Sequence, residues 1–224
     1  MKFSIIKDLT LLLDLDGTLV NSLGDICGLV NRLREDSGLL PRPDSELIPC
    51  IGDGALSLMQ RAVPELKEDD HVRLAQAYRD LYSVRPHWRG EVYPGVSQTL
   101  DFLRKREGVK LAVVTNKPTL SAEATLKHYL PHVAFDLVFG PERVRAQKPS
   151  PLHILDTLAA LGRPAESAWF VGDSPVDQLS AEAAQVRFLA ATYGFGGVTG
   201  SGPRNLRNFS EILSFLEIKA EFGV

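Results

Sequence analysis

The sequence predicts a doubly wound α/β protein, a parallel β-sheet with helices on both faces and a second, helical unit inserted after the first strand. Three observations predict it. Short, continuously apolar runs alternate with helix-like segments, as parallel strands buried on both faces do. The runs end in carboxylates, hydroxyls and amides rather than in hairpin turns. The chain between the first two runs is far longer than one crossover helix requires.

The first strand is expected over 9–15 (LTLLLDL). Residues 22–87 then read as helices over 23–37, 44–49, 54–63 and 69–84, punctuated by Pro41, Pro43, Pro49 and Pro64. This stretch is taken as the inserted domain, 18–87, with the core formed by 1–17 and 88–224 and the return running through "RPHWRGEVYPGV". Further strands are expected over 109–115, 134–139, 167–171 and 186–191, with helices over 96–106, 119–129, 150–161 and 176–185. Pro94-Gly95 and Pro118 stand where helices should start, Gly108 and Gly162 where they should stop. Gly194 to Gly202 (GFGGVTGSG) reads as a flexible loop without the strand–helix context of a dinucleotide site. From Arg204 onward the pattern suggests a closing amphipathic helix.

Composition narrows the function classes. Of 224 residues, 44% are hydrophobic and 24% charged, and the net charge of −3 offers no footprint for nucleic acid or an anionic membrane. No apolar run reaches the about 18 residues a membrane span needs. The N-terminal "MKFSIIKDLTLLLDLDG" has acidic residues within its apolar run and no small-residue cleavage site, unlike a signal peptide. Cys27 and Cys50 are expected as buried free thiols, which suits a cytoplasmic protein, a monomer or a homodimer. The five histidines have no ligand-like spacing; His87 and Trp88 could line a cleft, and Tyr78 and Tyr82 should pack inside the inserted domain.

In a doubly wound sheet, ligands bind beyond the carboxyl ends of the strands. The first strand delivers Asp14 and Asp16, then Gly17 and Thr18; the second delivers Thr115 and Asn116; a later one delivers Asp173 and Asp177. Lys148 precedes the helix at 150. Each alone reads as a turn or a cap, but together they gather carboxylates, a hydroxyl and an ammonium at one edge. Clustered carboxylates resist burial unless a positive charge balances them. Phosphoryl transfer through a carboxylate nucleophile needs this set. Asp14, Asp16 and Asp173 offer hard oxygen ligands for Mg²⁺. Thr115 and main-chain N–H groups near Gly17 and Asn116 can donate to phosphoryl oxygens. Asp16, two residues from Asp14 on an extended segment, shares its face. It can protonate a leaving alkoxide and later activate water, so it is expected to hold a proton more readily than Asp14.

These residues fall in four motifs, "DLDGTLV" (14–20), "VVTN" (113–116), "KP" (148–149) and "GDSPVD" (172–177). Through them the chain resembles the haloacid dehalogenase superfamily, specifically its phosphatases with a helical cap after the first strand. The resemblance implies a Rossmann-like core with a C1-type cap. It implies Asp14 as nucleophile, Asp16 as acid/base and metal ligand through its main-chain carbonyl, and Thr115 and Lys148 holding the phosphoryl group. Asp173 would complete the metal site, with Asp177 a supporting carboxylate.

Within the superfamily, "CIGDGALSLMQRAV" (50–63) and "YPGV" (93–96) are similar to phosphoglycolate phosphatases. A small phosphorylated metabolite, 2-phosphoglycolate, is therefore the expected substrate. Its carboxylate would be met by Arg61, Arg32 or main-chain N–H groups around Gly52 and Gly54, the glycine loop being favoured. Asn21, where relatives often carry aspartate, and "SELIPC", without their basic residue, depart from the pattern. A pyrophosphatase, a nucleotide or sugar phosphatase and a β-phosphoglucomutase-like isomerase are alternatives. A signalling receiver module is the non-enzymatic one, distinguished by the absence of Mg²⁺-dependent release of phosphate from p-nitrophenyl phosphate.

Overall fold

The computed structural model describes residues 8–84, 89–199 and 204–218. His87 and Trp88, much of the expected return segment's start and the end of the glycine loop lie outside them. Six parallel strands form the main sheet: β1 (Thr10–Leu13), β4 (Lys110–Val114), β5 (Leu137–Phe139), β6 (Ala168–Gly172), β7 (Arg187–Ala191) and β8 (Asn205–Leu206). Their order is β5-β4-β1-β6-β7-β8. The chain runs outward from β1 to β5, then returns to β6 on the other side. That reversal at β1 opens a crevice at the carboxyl ends of β1, β4 and β6.

Burial on both faces explains why the strands are apolar throughout. Leu11 and Leu13 of β1 pack with Val113, Val171 and Leu189 under α5 (Val96–Arg104) and α6 (Thr119–Tyr129). Leu12, between them, packs on the opposite face with Val114 and Phe170 under α7 (Leu152–Leu161) and α8 (Pro175–Ala183). The chain leaves the core through β2 (Val20–Asn21) and returns through β3 (Glu91–Val92), which pair antiparallel.

Between them lie α1 (Leu23–Asp36), α2 (Asp44–Leu47), α3 (Ala55–Ala62) and α4 (Glu68–Val84). These helices close over a hydrophobic cluster of their own that includes Ile26, Leu47, Met59, Tyr78 and Tyr82. Cys27 and Cys50 are both buried there as free thiols, and burial pushes the Cys27 thiol up to about 12. Buried Asp25 of α1 accepts from the main-chain N–H of Arg89 and, at 2.7 Å, from the Tyr129 hydroxyl of α6. The inserted helices are thereby tied to the core beside the connecting ribbon.

Three expectations are corrected. The strand expected over 134–139 spans only Leu137–Phe139, because Asp136 is drawn to Arg104 and Lys110 at 2.7 Å each. The closing helix expected from Arg204 is instead β8, a 3₁₀ turn over Phe209–Glu211 and the short α9 (Ile212–Phe215). Asn208 caps that turn by accepting from Ser210 N–H at 2.9 Å. Finally, the described part of the glycine loop is bound to the site, as shown below.

Candidate active site

Asp14 follows β1, its N–H donating to the Val171 carbonyl at 2.9 Å, which fixes it at the crevice between β1 and β6. The Lys148 ammonium donates to Asp14 Oδ1 at 2.7 Å and to Asp177 Oδ1 at 2.6 Å. All three side chains are buried. Asp177 Oδ2 accepts from the Ser174 hydroxyl at 2.6 Å and from its N–H at 3.0 Å, in a reciprocal cap of α8. The cap that starts the helix thus also aims a carboxylate at the lysine. Asn116 holds the lysine's main chain, accepting from Lys148 N–H at 3.1 Å and donating to its carbonyl at 2.9 Å. The same amide donates to the Gly52 carbonyl at 3.0 Å, linking the core to the inserted helical unit. Thr115 is buried, and its hydroxyl oxygen accepts from Lys117 N–H.

Asp173 at the end of β6 is buried, accepting from Gly196 N–H at 2.6 Å and, weakly at 3.4 Å, from the Thr18 hydroxyl. Gly17 has φ of +86°, and a Cβ there would run into the Asp173 carboxylate. Oxygens of Asp14, Asp173 and Asp177 lie within 4.8 Å of one another. Burial, reinforced by the Asp177 charge, raises Asp14 to about 7 despite Lys148. Burial and the Asp177 and Asp14 charges push Asp173 well above the usual carboxylate range. Burial alone would lower the Lys148 pKa, but Asp14 and Asp177 reverse this and hold it above the ordinary lysine value. One ammonium does not balance three carboxylates.

The Asp16 carboxylate faces an ammonium. Lys117 Nζ donates to its two oxygens at 3.0 and 3.1 Å, and the Ser22 hydroxyl donates to Oδ1 at 2.5 Å. The Lys117 ammonium also lies 3.7 Å from the centre of the Tyr82 ring. Lys117 was not singled out by sequence. Its signal was position, directly after Asn116 at the exit of an apolar strand.

These groups open into a cavity of about 290 Å³. Asp14, Asp16, Thr115, Asn116, Lys148 and Asp173 line it together with Lys117. The inserted helices contribute Ile26, Ile48, Pro49, Ile51, Gly52, Gly54, Ala55, Leu58 and Tyr78. The loop at Phe195–Gly197 lines it too, and Phe195 packs against the helical cluster. Gly17 and Thr18 are not among the lining residues; both support Asp173. Arg61 is also absent from the lining, being half-exposed and paired with Asp53 at 2.5 Å. Arg32 is exposed and pairs with Asp36 at 3.4 Å.

A parallel sheet with an acidic, lysine-bridged centre at its switch point and helices folded over it defines an α/β class in which one unit serves chemistry and another covers it. The chain belongs to the haloacid dehalogenase-like hydrolase family, whose members it matches over residues 11–191. It is 36% identical over 192 residues to phosphoglycolate phosphatase 1 of Pseudomonas aeruginosa, covering 81% of this chain and 68% of that one. It is also 36% identical over 186 residues to a phosphoglycolate phosphatase of Cereibacter sphaeroides, covering 81% and 84%. The crystal structure of a predicted phosphoglycolate phosphatase from Haemophilus somnus 129PT superposes with a TM-score of 0.83 at 29% identity, covering 96% of this chain and all of that one.

Proposed function

We propose that the chain is a Mg²⁺-dependent phosphatase that hydrolyses a phosphate monoester through a phosphoryl group carried on Asp14. The observation that carries this reading is the Lys148 ammonium held between Asp14 and Asp177, beside Asp173. It fixes one oxygen of Asp14 and leaves the other for in-line attack on phosphorus.

The residues fit a small hard cation. They are all-oxygen donors, and their buried negative charge exceeds what Lys148 supplies. Asp177 has both oxygens engaged by Lys148 and Ser174. As the family resemblance implies, Asp14 and Asp173 would hold Mg²⁺ by their side chains and Asp16 by its main-chain carbonyl. When bound, Mg²⁺ offsets the charge of the carboxylates and of the phosphoryl oxygens.

Asp14 Oδ2 forms a bond to phosphorus while the ester P–O bond breaks. Asp16 gives its proton to the departing alkoxide, for which it must first leave Lys117. Water then attacks the phosphoryl group, Asp16 takes its proton, and the Asp14 carboxylate and inorganic phosphate are released. Lys148 and the Thr115 hydroxyl hold phosphoryl oxygens through both steps. Residues 18–87 act as a cap that closes over the reacting group and excludes water. The names of the relatives support 2-phosphoglycolate as the reference substrate, with main-chain N–H groups at Gly52 and Gly54 facing its carboxylate.

The test is an intact-mass measurement on enzyme quenched during turnover with Mg²⁺, followed by peptide mapping. A phosphoryl adduct on Asp14, with turnover abolished by chelator and restored by Mg²⁺, is expected. Turnover in chelator, or an adduct on another residue, overturns the reading.

A further inference from the structure

The cap side of the cavity carries no charge among the described residues. Its side chains are Ile26, Ile48, Ile51, Ala55, Leu58 and Tyr78, with Pro49 at the rim. Among the described residues, three arginines of the inserted helices are bound elsewhere. Arg61 holds Asp53, Arg32 holds Asp36, and buried Arg34 holds Glu65 at 3.0 Å and the Ala62 carbonyl at 2.6 Å. The two ammonium groups that line the cavity belong to the core and are ion-paired, Lys148 to Asp14 and Asp177, Lys117 to Asp16. An anion on the leaving group, placed against Ile48, Ile51 and Leu58, would be desolvated by aliphatic carbon. An apolar body would bury its surface there instead.

We infer that the cap selects phosphate monoesters of alcohols with an uncharged, apolar body, an alkyl chain or a ring, over esters that carry a second anion. This rests on the phosphatase reading above and names the substrate class of that same site. The phosphoryl group sits among the core residues, and the alcohol's carbon skeleton lies against Ile48, Ile51 and Leu58. Gly52 and Gly54, which offer main chain alone, and Tyr78, which ends in a hydroxyl, also line the cap side. If these prevail, a carboxylate will be preferred.

The experiment compares kcat/KM with Mg²⁺ for ethyl, n-butyl and n-hexyl phosphate, benzyl phosphate and 2-phosphoglycolate. The three n-alkanols have nearly equal acidity, so the alkyl series varies burial and not leaving-group chemistry. A rise of roughly fourfold per methylene is expected, the ratio for burying one CH₂. Benzyl phosphate should exceed 2-phosphoglycolate by at least about tenfold. Ile48→Arg places a cation on the cap wall at a half-buried position outside the helical cluster. That variant should raise kcat/KM for 2-phosphoglycolate and lower it for n-hexyl phosphate, reversing the order. A flat alkyl series with 2-phosphoglycolate preferred overturns the inference and leaves the phosphatase reading standing. No turnover of any ester, including p-nitrophenyl phosphate, overturns both. The series on the unaltered chain decides alone if the variant does not fold.

Discussion

The core side of the cavity presents five charged-type side chains, Asp14, Asp16, Lys117, Lys148 and Asp173, while the cap residues that line it include no acid, lysine, arginine or histidine. On the core side each position is held by several bonds: Lys148 by two carboxylates and an asparagine amide, Asp16 by a lysine and a serine. On the cap side, contact is made by aliphatic carbon, the Tyr78 side chain and glycine main chain. Groups that must meet phosphorus within tenths of an ångström are fixed by directional bonds. Groups that recognise a carbon skeleton need shape and dryness alone.

The largest effect should come from the core. Asp14→Asn is expected to lower kcat by at least about four orders of magnitude, with near-native stability and no phosphoryl adduct in intact mass. Substantial residual activity would remove the nucleophile from the core wall and undo the contrast. Asp16→Asn should cost roughly 10²–10⁴-fold in kcat. Rapid-quench mass measurement should then show phosphoenzyme accumulating with an activated ester such as p-nitrophenyl phosphate, whose departure needs little acid help.

His153, behind the core wall, sharpens the comparison through stability. Its Nε2 faces the Phe139 carbonyl at 3.0 Å, while buried Nδ1 has no partner. Burial, and then the nearby Lys148 charge, lower it to about 4. In the unfolded chain it titrates near 6.5, so between these values the unfolded state binds more protons. Stability from this group is therefore full above about pH 6.5 and falls by roughly 3 kcal/mol as the pH drops to 4. Urea titrations of the parent and His153→Gln should differ by this slope across that window. Parallel curves would show that burial behind the wall does not hold His153 in its neutral form. The smallest effect belongs to the cap's exposed rim. Arg61→Ala should change kcat/KM less than about twofold for every ester, because its partner is Asp53 and not the cavity. A selective loss on 2-phosphoglycolate would give the cap the charge that the contrast denies it.

Much of the fold was legible because burial on two faces leaves an unbroken apolar run, as in β1, β4, β6 and β7. The C-terminal segment was misread for a physical reason. Leu206, Phe209, Ile212, Leu213 and Leu216 are all buried, at spacings of three, three, one and three, which mimic a helical stripe. They are placed instead by a strand, a 3₁₀ turn and one short helix. In the site, Asp14, Thr115, Lys148 and Asp173 were legible from their places at strand exits and in the lysine–proline loop. Lys117 was not, since lysine is ordinarily a surface residue and nothing local announces burial against a distant tyrosine ring. Glycines 194 and 196 suggested flexibility, yet side chains there would collide with Asp173. Sequence reveals the absence of a Cβ but not the backbone or carboxylate that needs the space.

The Asn116 amide touches the cap at the carbonyl of Gly52 and the core at both main-chain groups of Lys148. Every residue type carries a carbonyl, so the handshake between the two units does not depend on which side chains decorate the cap. New leaving-group preferences can therefore evolve by exchanging residues such as Ile48 or Leu58, while Lys148 stays where it is.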